Sequence, residues 1–386
     1  MIISTTLTGS NADIIGDAIA SVVGQVDRCL VIDTGAKDAA IEVARQAAGD
    51  KFLLREYPWK NDFAAARNFS LQAAAEAGAT WAVTVDTDER LLFDRGVELR
   101  AALEKLKPAV NVLLVDEDSG TYGKERIIRL PAKVRWNGPT HEVLEGQQVG
   151  QSESLAGVRF HELPKDPATL KRKFERDVAI LKKYTRQHGK NPRWFYYLGA
   201  SHQDLGEYAA AIDAYRACAA LGGWVEEGAW ACYRAAECCC ALKRWTEAID
   251  FCARGLAIRP ATAELAWLAG YAAYNARRYE DAIAWSNMAV VNGLYDGAGA
   301  GFARKSFRNL SALYEGPYDV LCWTFKALGN ADGRPDRNRI VRIELTPWCH
   351  VHVDVAKLGE MSEDTPDILG AALTQALQEE RIQKGK

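Results

Sequence analysis

Two acidic motifs follow short apolar segments in this 386-residue chain. Asp86 and Asp88 come directly after residues 81–85 (WAVTV), and Asp33 directly follows the apolar run 29–32. Two carboxylates with this spacing at a strand end can share a divalent cation, because Mg²⁺ and Mn²⁺ prefer oxygen ligands and also bind diphosphate oxygens. Such a cation would stabilise the charge on a departing nucleotide diphosphate. The structural alternative is a solvated acidic turn, since turns favour aspartate.

Alternating strands and helices are needed to position these carboxylates. Apolar runs predict strands, and amphipathic stretches predict helices between them. The strands are expected at 2–7, 29–32, 52–54, 81–85 and 110–115, and the helices at 12–23, 39–48, 63–77 and 97–106. This alternation predicts an α/β domain with a mostly parallel, doubly wound sheet, whose ligands bind beyond the carboxyl ends of the strands. After residue 110 the pattern becomes strand-rich, with further strands expected at 125–130, 134–136 and 155–161.

A third motif lies between the two acidic ones. Residues 59–68 (WKNDFAAARN) open the helix that precedes the Asp86 strand. Together with residues 33–38 (DTGAKD) and 86–89 (DTDE), they resemble glycosyltransferase family 2. In that family an Asp-Thr-Gly-Ser-x-Asp-like run, a Trp-x-x-Asp-Phe-x-x-x-Arg-Asn-like run and Asp-x-Asp-Glu occur in this order. The chain departs from the pattern at Ala36, where serine is common, which puts one hydroxyl contact in doubt.

The resemblance implies a GT-A fold, a Rossmann-like nucleotide-sugar domain, and a set of roles. It implies that Asp33 meets the base or ribose of the donor and that Arg67 lies near the diphosphate. It implies that Asp88 binds Mn²⁺ or Mg²⁺, while Asp86 meets the ribose or the metal. Asp62 is assigned to donor binding as well. A βα turn is the structural alternative for Asp33, and helix capping is the alternative for Asp62.

A carboxylate for proton removal is expected in residues 134–142 (VRWNGPTHE), which resemble a Trp-x-Gly-x-x-His-Glu run of related bacterial transferases. An inverting transferase needs a base that takes the acceptor's proton as its nucleophile attacks the anomeric carbon. Glu142 is the first candidate for this base, with Asp116 or Glu117 as alternatives.

Two histidines are candidates for a further metal ligand. His141 precedes Glu142, and His161 follows a predicted strand at a place where the family often has histidine. Either imidazole could complete the metal site through a ring nitrogen. The alternative for each is a hydrogen-bonded structural histidine.

Long helical stretches replace the alternation from residue 169 onwards. Three segments align, with aromatic residues Tyr208, Trp245 and Tyr279 spaced close to the ~34 residues of tetratricopeptide repeats. Small residues, which let the two helices of a repeat touch, lie at matching upstream places: Gly199, Ala236 and Gly270. Such repeats stack into a solenoid with a concave binding face. We therefore predict a transferase domain at 1–165, a repeat domain at 166–300, and a helical and strand extension at 301–386.

Composition narrows the class of protein. A net charge of −3 argues against nucleic-acid binding through bulk charge. The sequence has no apolar run of about 18 residues, so no membrane span is expected, and no signal-type segment, so a cytoplasmic location is expected. The nine cysteines include three in succession, Cys238 to Cys240, which favours reduced thiols over a disulfide framework.

The combination resembles bacterial family 2 transferases with tetratricopeptide tails, including sublancin-type peptide S-glycosyltransferases. The N-terminal motifs also resemble lipopolysaccharide core glucosyltransferases. The resemblance implies an inverting, metal-dependent transfer of a hexose from a nucleotide-diphosphate sugar to a peptide, protein or glycan acceptor held by the repeats. Two alternatives are an inactive transferase-like scaffold or binding module, and a transferase acting on a lipid-linked glycan or nucleic acid. A homodimer could form by pairing of the C-terminal strands.

Overall fold

The computed structural model describes residues 1–120, 122–298, 307–313, 315–332, 340–346 and 349–354. The chain divides into two compact units, Met1–Lys173 and Phe174–Lys386. The domain boundaries predicted at residues 165 and 300 stay predictions. Residue 300 lies outside the described residues.

The first unit is built on an eight-stranded sheet. Its strands are β1 (Ile2–Thr8), β2 (Arg28–Asp33), β3 (Phe52–Glu56), β4 (Trp81–Thr84), β5 (Glu89–Phe93), β6 (Val112–Glu117), β7 (Gly123–Arg129) and β10 (Ser152–Glu162). They are arranged in the order β3-β2-β1-β4-β7-β6-β10-β5. Strands β3, β2, β1 and β4 are parallel, as the alternation predicts. The other half is mixed, because β7 and β5 run opposite to their neighbours.

Helices cover both faces of this sheet. They are α1 (Ile15–Val23), α2 (Ala40–Ala48), α3 (Phe63–Glu76) and α4 (Leu99–Glu104). Successive strand residues point to opposite faces. Ile2 and Val83 thus lie in the apolar core with α1, α2 and α4, whereas Ile3 and Ala82 lie in the core with α3. This double cover explains the continuous apolar runs of the central strands and confirms the predicted α/β fold.

Two strands of this unit were not predicted. The Asp-Thr-Asp turn after β4 leads directly into β5, and β9 (Val143–Glu145) pairs in a separate hairpin with β8 (Arg135–Asn137), which overlaps the strand predicted at 134–136. The three residues of β9 are too few to show a period of two.

The second unit is helical. Its helices are α5 (Pro167–Gln187, which begins in the first unit), α6 (Pro192–Asp204), α7 (Tyr208–Leu221), α8 (Val225–Ala241), α9 (Trp245–Ile258), α10 (Ala263–Asn275), α11 (Tyr279–Ala298) and α12 (Glu315–Asp332). The predicted C-terminal hairpin is formed by β11 (Ile340–Thr346) and β12 (Cys349–Asp354). None of the helices in the described part of the chain combines the length and apolarity needed to cross a membrane.

Three helix pairs, α6–α7, α8–α9 and α10–α11, correspond to the predicted repeats. Tyr208, Trp245 and Tyr279 are each the first residue of the second helix of a pair. A Cβ atom at Gly199 would lie 2.7 Å from the ring of Tyr215, which explains why a small residue is needed there. The helical half therefore has the tetratricopeptide-like arrangement that the spacing predicts.

Candidate active site

The carboxyl ends of β2 and β4 place the two acidic motifs at the same edge of the sheet, on either side of β1. Asp33 is the last residue of β2, and its carboxylate accepts the backbone N–H groups of Gly35 and Ala36, both at 2.8 Å. Gly35 has a φ of +112°, a conformation that favours glycine. Asp33 therefore has the turn role that was its structural alternative, and its contact with a donor stays a prediction.

Arg67, on α3, joins two other predicted residues. Its Nη2 lies 2.9 Å from Oδ1 of Asp86, and its Nε donates to the carboxylate of Glu142. Burial alone would lower the pKa of Arg67, but the charges of Asp86 and Glu142 raise it above its ordinary value. The structure thus brings a predicted diphosphate ligand, a predicted ribose or metal ligand and the candidate base into one buried cluster.

The segment that carries Glu142 is fastened to the start of α3. The Asn68 amide donates to the Trp136 carbonyl and accepts from the Trp136 N–H, both at 2.9 Å. The Phe63 N–H donates to the Pro139 carbonyl at 2.9 Å. The two sequence motifs, 59–68 and 134–142, are therefore hydrogen-bonded to each other.

Asp62 caps the same helix. Its carboxylate accepts the Ala65 N–H at 2.8 Å, which satisfies one of the free donors of the first turn. This capping role was the structural alternative for Asp62, and its role in donor binding stays a prediction.

A second guanidinium approaches Asp86 from β7. Nη2 of Arg126 lies 3.1 Å from Asp86 Oδ2 and also contacts Glu89, whose side chain is buried. Burial alone would raise the pKa of Asp86, but the charges of Arg67 and Arg126 hold it well below its ordinary value. Asp86 is consequently ionised across the whole physiological range.

Two lysines complete the network. Lys124 Nζ lies 3.0 Å from Glu89 and 2.8 Å from Glu162, and Lys165 Nζ lies 2.6 Å from Asp88 and 2.9 Å from Glu162. Burial would raise the pKa of Glu162, but hydrogen bonds from the two lysines lower it to about 2. The Leu163 N–H also donates to the Asp88 carbonyl at 2.8 Å. The turn after β4 is thus fixed to the end of β10.

Buried N–H donors without acceptors surround this cluster. Nη1 of Arg67, Nε of Arg126 and Nε1 of Trp136 are enclosed, and none has a hydrogen-bond partner among the described residues. The Arg67 guanidinium lies over the Trp136 ring, at 5.6 Å from its centroid. Buried donors nearly always have partners, because leaving one unsatisfied costs about 1–3 kcal/mol. Donors of this kind suit an anionic ligand that supplies several acceptor oxygens.

The predicted metal ligands do not meet in one group. His161 Nδ1 lies 2.7 Å from Asp118 Oδ2, and Asp88 is paired with Lys165. His141 has a φ of +51°, a left-handed conformation that is uncommon outside glycine. Within the described ranges no three histidine, cysteine, aspartate or glutamate side chains are arranged to hold a metal ion. Mg²⁺, however, is commonly held by one or two carboxylates together with substrate phosphates.

The alternative bases lie on the neighbouring strand. Asp116 and Glu117 end β6, and Glu117 accepts the backbone N–H of Ser119 at 2.9 Å. A Cβ atom on Gly123 would lie 2.6 Å from Oδ1 of Asp116, so the partner strand packs closely on this carboxylate.

Sequence reasoning missed all the cations except Arg67. Lys124 and Arg126 are two residues apart on β7, so both point to one face of the sheet. Two cations at positions i and i+2 of this strand (GKERIIR) were the available signal.

Comparisons with known proteins agree with this geometry. Residues 2–154 match the family model described as glycosyl transferase family 2. A region of 157 residues, 40% of this chain, is 35% identical to a TPR repeat-containing protein of Synechococcus elongatus and covers 38% of it. A region of 210 residues, 50% of this chain, is 23% identical to the SPbeta prophage-derived glycosyltransferase SunS of Bacillus subtilis and covers 47% of it. Less than half the length of either relative is therefore matched.

Among solved structures, MamA of Desulfovibrio magneticus aligns with 44% of this chain and 89% of its own, at 19% identity and a TM-score of 0.32. A likeness at that score carries no argument about function. The family match and the residues gathered around Arg67 concern the same region. We conclude that residues 2–154 form a glycosyl transferase family 2 domain.

Proposed function

We propose that the chain is an inverting, metal-dependent glycosyltransferase that moves a hexose from a nucleotide-diphosphate sugar to a peptide or protein acceptor. The family of the N-terminal domain and the name of the Bacillus subtilis relative support transfer of a sugar. The observation that carries the proposal is the Arg67 cluster, in which one guanidinium holds both Asp86 and Glu142.

The Arg67 cluster suggests how donor binding prepares the base. The buried Nη1 of Arg67, which carries two N–H groups, has no acceptor among the described residues, whereas Nε and Nη2 donate to carboxylates. A diphosphate offers pairs of charged oxygens, which the planar guanidinium binds strongly through two parallel N–H groups. When Arg67 turns to the diphosphate, the carboxylate of Glu142 loses its ion-pair partner and is available to accept a proton. The acceptor's proton then passes to Glu142 as the acceptor attacks the anomeric carbon, and the bond between that carbon and the diphosphate oxygen breaks, so that the nucleoside diphosphate leaves.

Asp88 is the residue that would hold the metal ion. Its side chain is 27% exposed and is neutralised by Lys165. A single accessible carboxylate fits a cation whose other ligands are phosphate oxygens and water. When bound, the cation neutralises charge on the leaving diphosphate. Lys165 has to leave Asp88 for this to happen, so the lysine and the metal compete for one carboxylate.

Thermal shift tests donor binding directly, because a ligand raises the melting temperature only of a fold that binds it. The full chain is screened against nucleotide sugars with and without Mn²⁺. We expect one sugar class to raise the melting temperature, and Mn²⁺ to increase the shift. The Asp88→Asn variant should lose the Mn²⁺ effect. Asp94→Asn is a matched control, since Asp94 is an exposed aspartate paired with Arg159.

Hydrolysis of the donor separates an enzyme from a scaffold. Slow release of nucleoside diphosphate in the presence of Mn²⁺, absent in Asp88→Asn, is expected for a transferase that lacks its acceptor. A chain that binds a nucleotide sugar yet releases no diphosphate, with any peptide offered, would instead be a binding module.

A further inference from the structure

The first helices of the three pairs form a continuous face. Helix α6 contacts α8, and α8 contacts α10. We call this surface the A-face and define it by aromatic side chains on or beside these helices: Tyr196, Trp224, Trp230, Tyr233 and Trp267. Trp230 stacks on Tyr233 with ring centroids 4.4 Å apart.

A segment from later in the chain lies on the A-face. The ring of Phe307 is 5.5 Å from Tyr196, 5.6 Å from Trp224 and 5.7 Å from Trp230, measured between centroids. The ring planes of Phe307 and Trp230 are nearly parallel, at 13° to each other. Phe307 is thus held by three rings, which is the way aromatic side chains anchor at binding surfaces.

Polar contacts set the position of the same segment. The Phe307 N–H points at Oε1 of Glu226 at 3.4 Å, and the Asn309 amide donates to the Tyr233 hydroxyl at 2.9 Å. One backbone group, one aromatic ring and one amide two residues later therefore contact the A-face together. Residues i and i+2 of an extended chain point to the same side, so an extended peptide can offer the same three groups.

The segment differs from the internal core of the repeats. Trp194 and Tyr215 are almost completely buried within the helix pairs, whereas Phe307 is half-buried and Trp224 is 47% exposed. Removal of Phe307 would add the ring of Tyr196, which is buried, to a surface that Trp224 already exposes to solvent. The contact therefore has the character of an occupied binding site.

We propose that the A-face is a peptide-binding site, and that Phe307 and Asn309 occupy it as an internal competitor. The external ligand is an extended peptide with an aromatic residue and an amide side chain two positions later. That this peptide is the acceptor rests on the proposed function, whereas the competition itself does not. A tethered segment competes at a high effective concentration, so the intact chain should bind such peptides weakly.

The probe is a fluorescein-labelled peptide of residues 304–311 (RKSFRNLS), measured by fluorescence anisotropy against the full chain without donor or metal. We expect the double variant Phe307→Ala/Asn309→Ala to bind it about tenfold or more tightly than the unmodified chain, because the competitor is gone. The same peptide with its phenylalanine replaced by alanine should bind neither protein. Adding Trp224→Ala to the double variant should abolish the gain.

Tyr271→Ala is the matched control, since Tyr271 is an exposed aromatic residue of α10 whose ring packs on Trp245. Its peptide affinity should equal that of the unmodified chain. Equal affinity of the double variant and the unmodified chain would overturn the proposal. If the double variant does not fold, Asn309→Ala alone, which removes a single hydrogen bond, should still raise the affinity, and no change there would overturn the proposal as well.

The assay keeps this proposal separate from glycosyl transfer. Tight binding to the double variant, with no sugar transferred to any peptide, would contradict the proposed function and leave the A-face site intact. Transfer to peptides with no gain in binding by the double variant would sustain the proposed function and refute the competition.

Discussion

The candidate site of the first unit is made of charges, and the candidate site of the second is made of aromatic rings. Around Arg67 every named carboxylate faces a lysine or arginine, and the side chains of Arg67, Arg126 and Glu89 are nearly inaccessible to water. On the A-face the rings of Tyr196, Trp224 and Trp230 share contacts with one half-buried phenylalanine.

This difference has energetic consequences. Removing one partner from a buried charge network leaves another charge unpaired, which is expensive. Removing one ring from a half-exposed stack mainly exposes apolar area, and the loss is gradual. The first site should therefore be intolerant of substitution and sensitive to pH, and the second should tolerate substitution and change in affinity. The variants that follow test this difference between the buried charges and the half-exposed rings.

Arg67→Ala should have the largest effect. It leaves Asp86 and Glu142 without their shared partner, so we expect the free energy of unfolding to fall by roughly 3–5 kcal/mol. Denaturant unfolding followed by circular dichroism measures this change. Arg159→Ala is the control, because Arg159 forms an exposed pair with Asp94 and should cost about 0–1 kcal/mol. An equal decrease in the free energy of unfolding of the two variants would contradict the expected difference between buried and exposed charges.

Glu142→Gln should abolish most transfer while preserving donor binding. Loss of a general base typically lowers the rate by about 10²–10⁴-fold. The initial rate of transfer and the donor-induced thermal shift are measured on the same preparation. Glu145→Gln, on the exposed end of β9, should leave both unchanged. A Glu142→Gln variant with an unchanged rate would move the role of base to Asp116 or Glu117.

Lys165→Met should make the site bind metal more tightly. Asp88 is then free of its ammonium partner, and a partly exposed ion pair contributes ~0.2–1 kcal/mol, so the Mn²⁺ concentration for half-maximal thermal shift should fall by about 1.4- to fivefold. Lys105→Met, at an exposed position following α4, serves as the control. A rise in the required Mn²⁺ concentration would mean that Lys165 assists the metal rather than competing with it.

The smallest effect concerns acid stability. The pKa of Glu162 is lowered from 4.5 to about 2 in the folded chain, so the unfolded chain binds a proton more readily than the folded one. The stability that Glu162 contributes is therefore complete above pH 4.5 and is lost as the pH falls towards 2. Glu162→Gln should flatten the decline in melting temperature over this range. The exposed Glu153→Gln should follow the unmodified chain, and a parallel decline in Glu162→Gln would contradict the assignment.

The sequence predicted those parts of the molecule that depend on neighbouring residues. Asp33 and Asp86 follow apolar runs, and parallel strands bring such ends together. Tyr208 and Trp245 mark helix starts because a repeat fixes the distance between them. Residues 59–68 and 134–142 could be recognised as motifs, although their mutual contact through Asn68 and Trp136 could not.

Contacts that depend on strand order could not be predicted. Arg126 reaches Asp86 only because β7 inserts between β4 and β6, and no local pattern encodes that insertion. Lys165 reaches Asp88 because the end of β10 lies beside the start of β5. Phe307 contacts Trp230 although the two residues are far apart in the sequence. In each case the partner is distant in sequence, and the interaction is set by the complete fold.

The turn after β4 has two attachments to the same short stretch of chain. Leu163 holds the Asp88 backbone and Lys165 holds its side chain, and helix α5 begins two residues after Lys165 at Pro167. Any ligand that draws Asp88 away from Lys165 must therefore pull on the residues leading into α5 or break a link to them. Occupancy of the site would thereby shift the start of α5, and a spectroscopic label at the first turn of this helix could detect the shift.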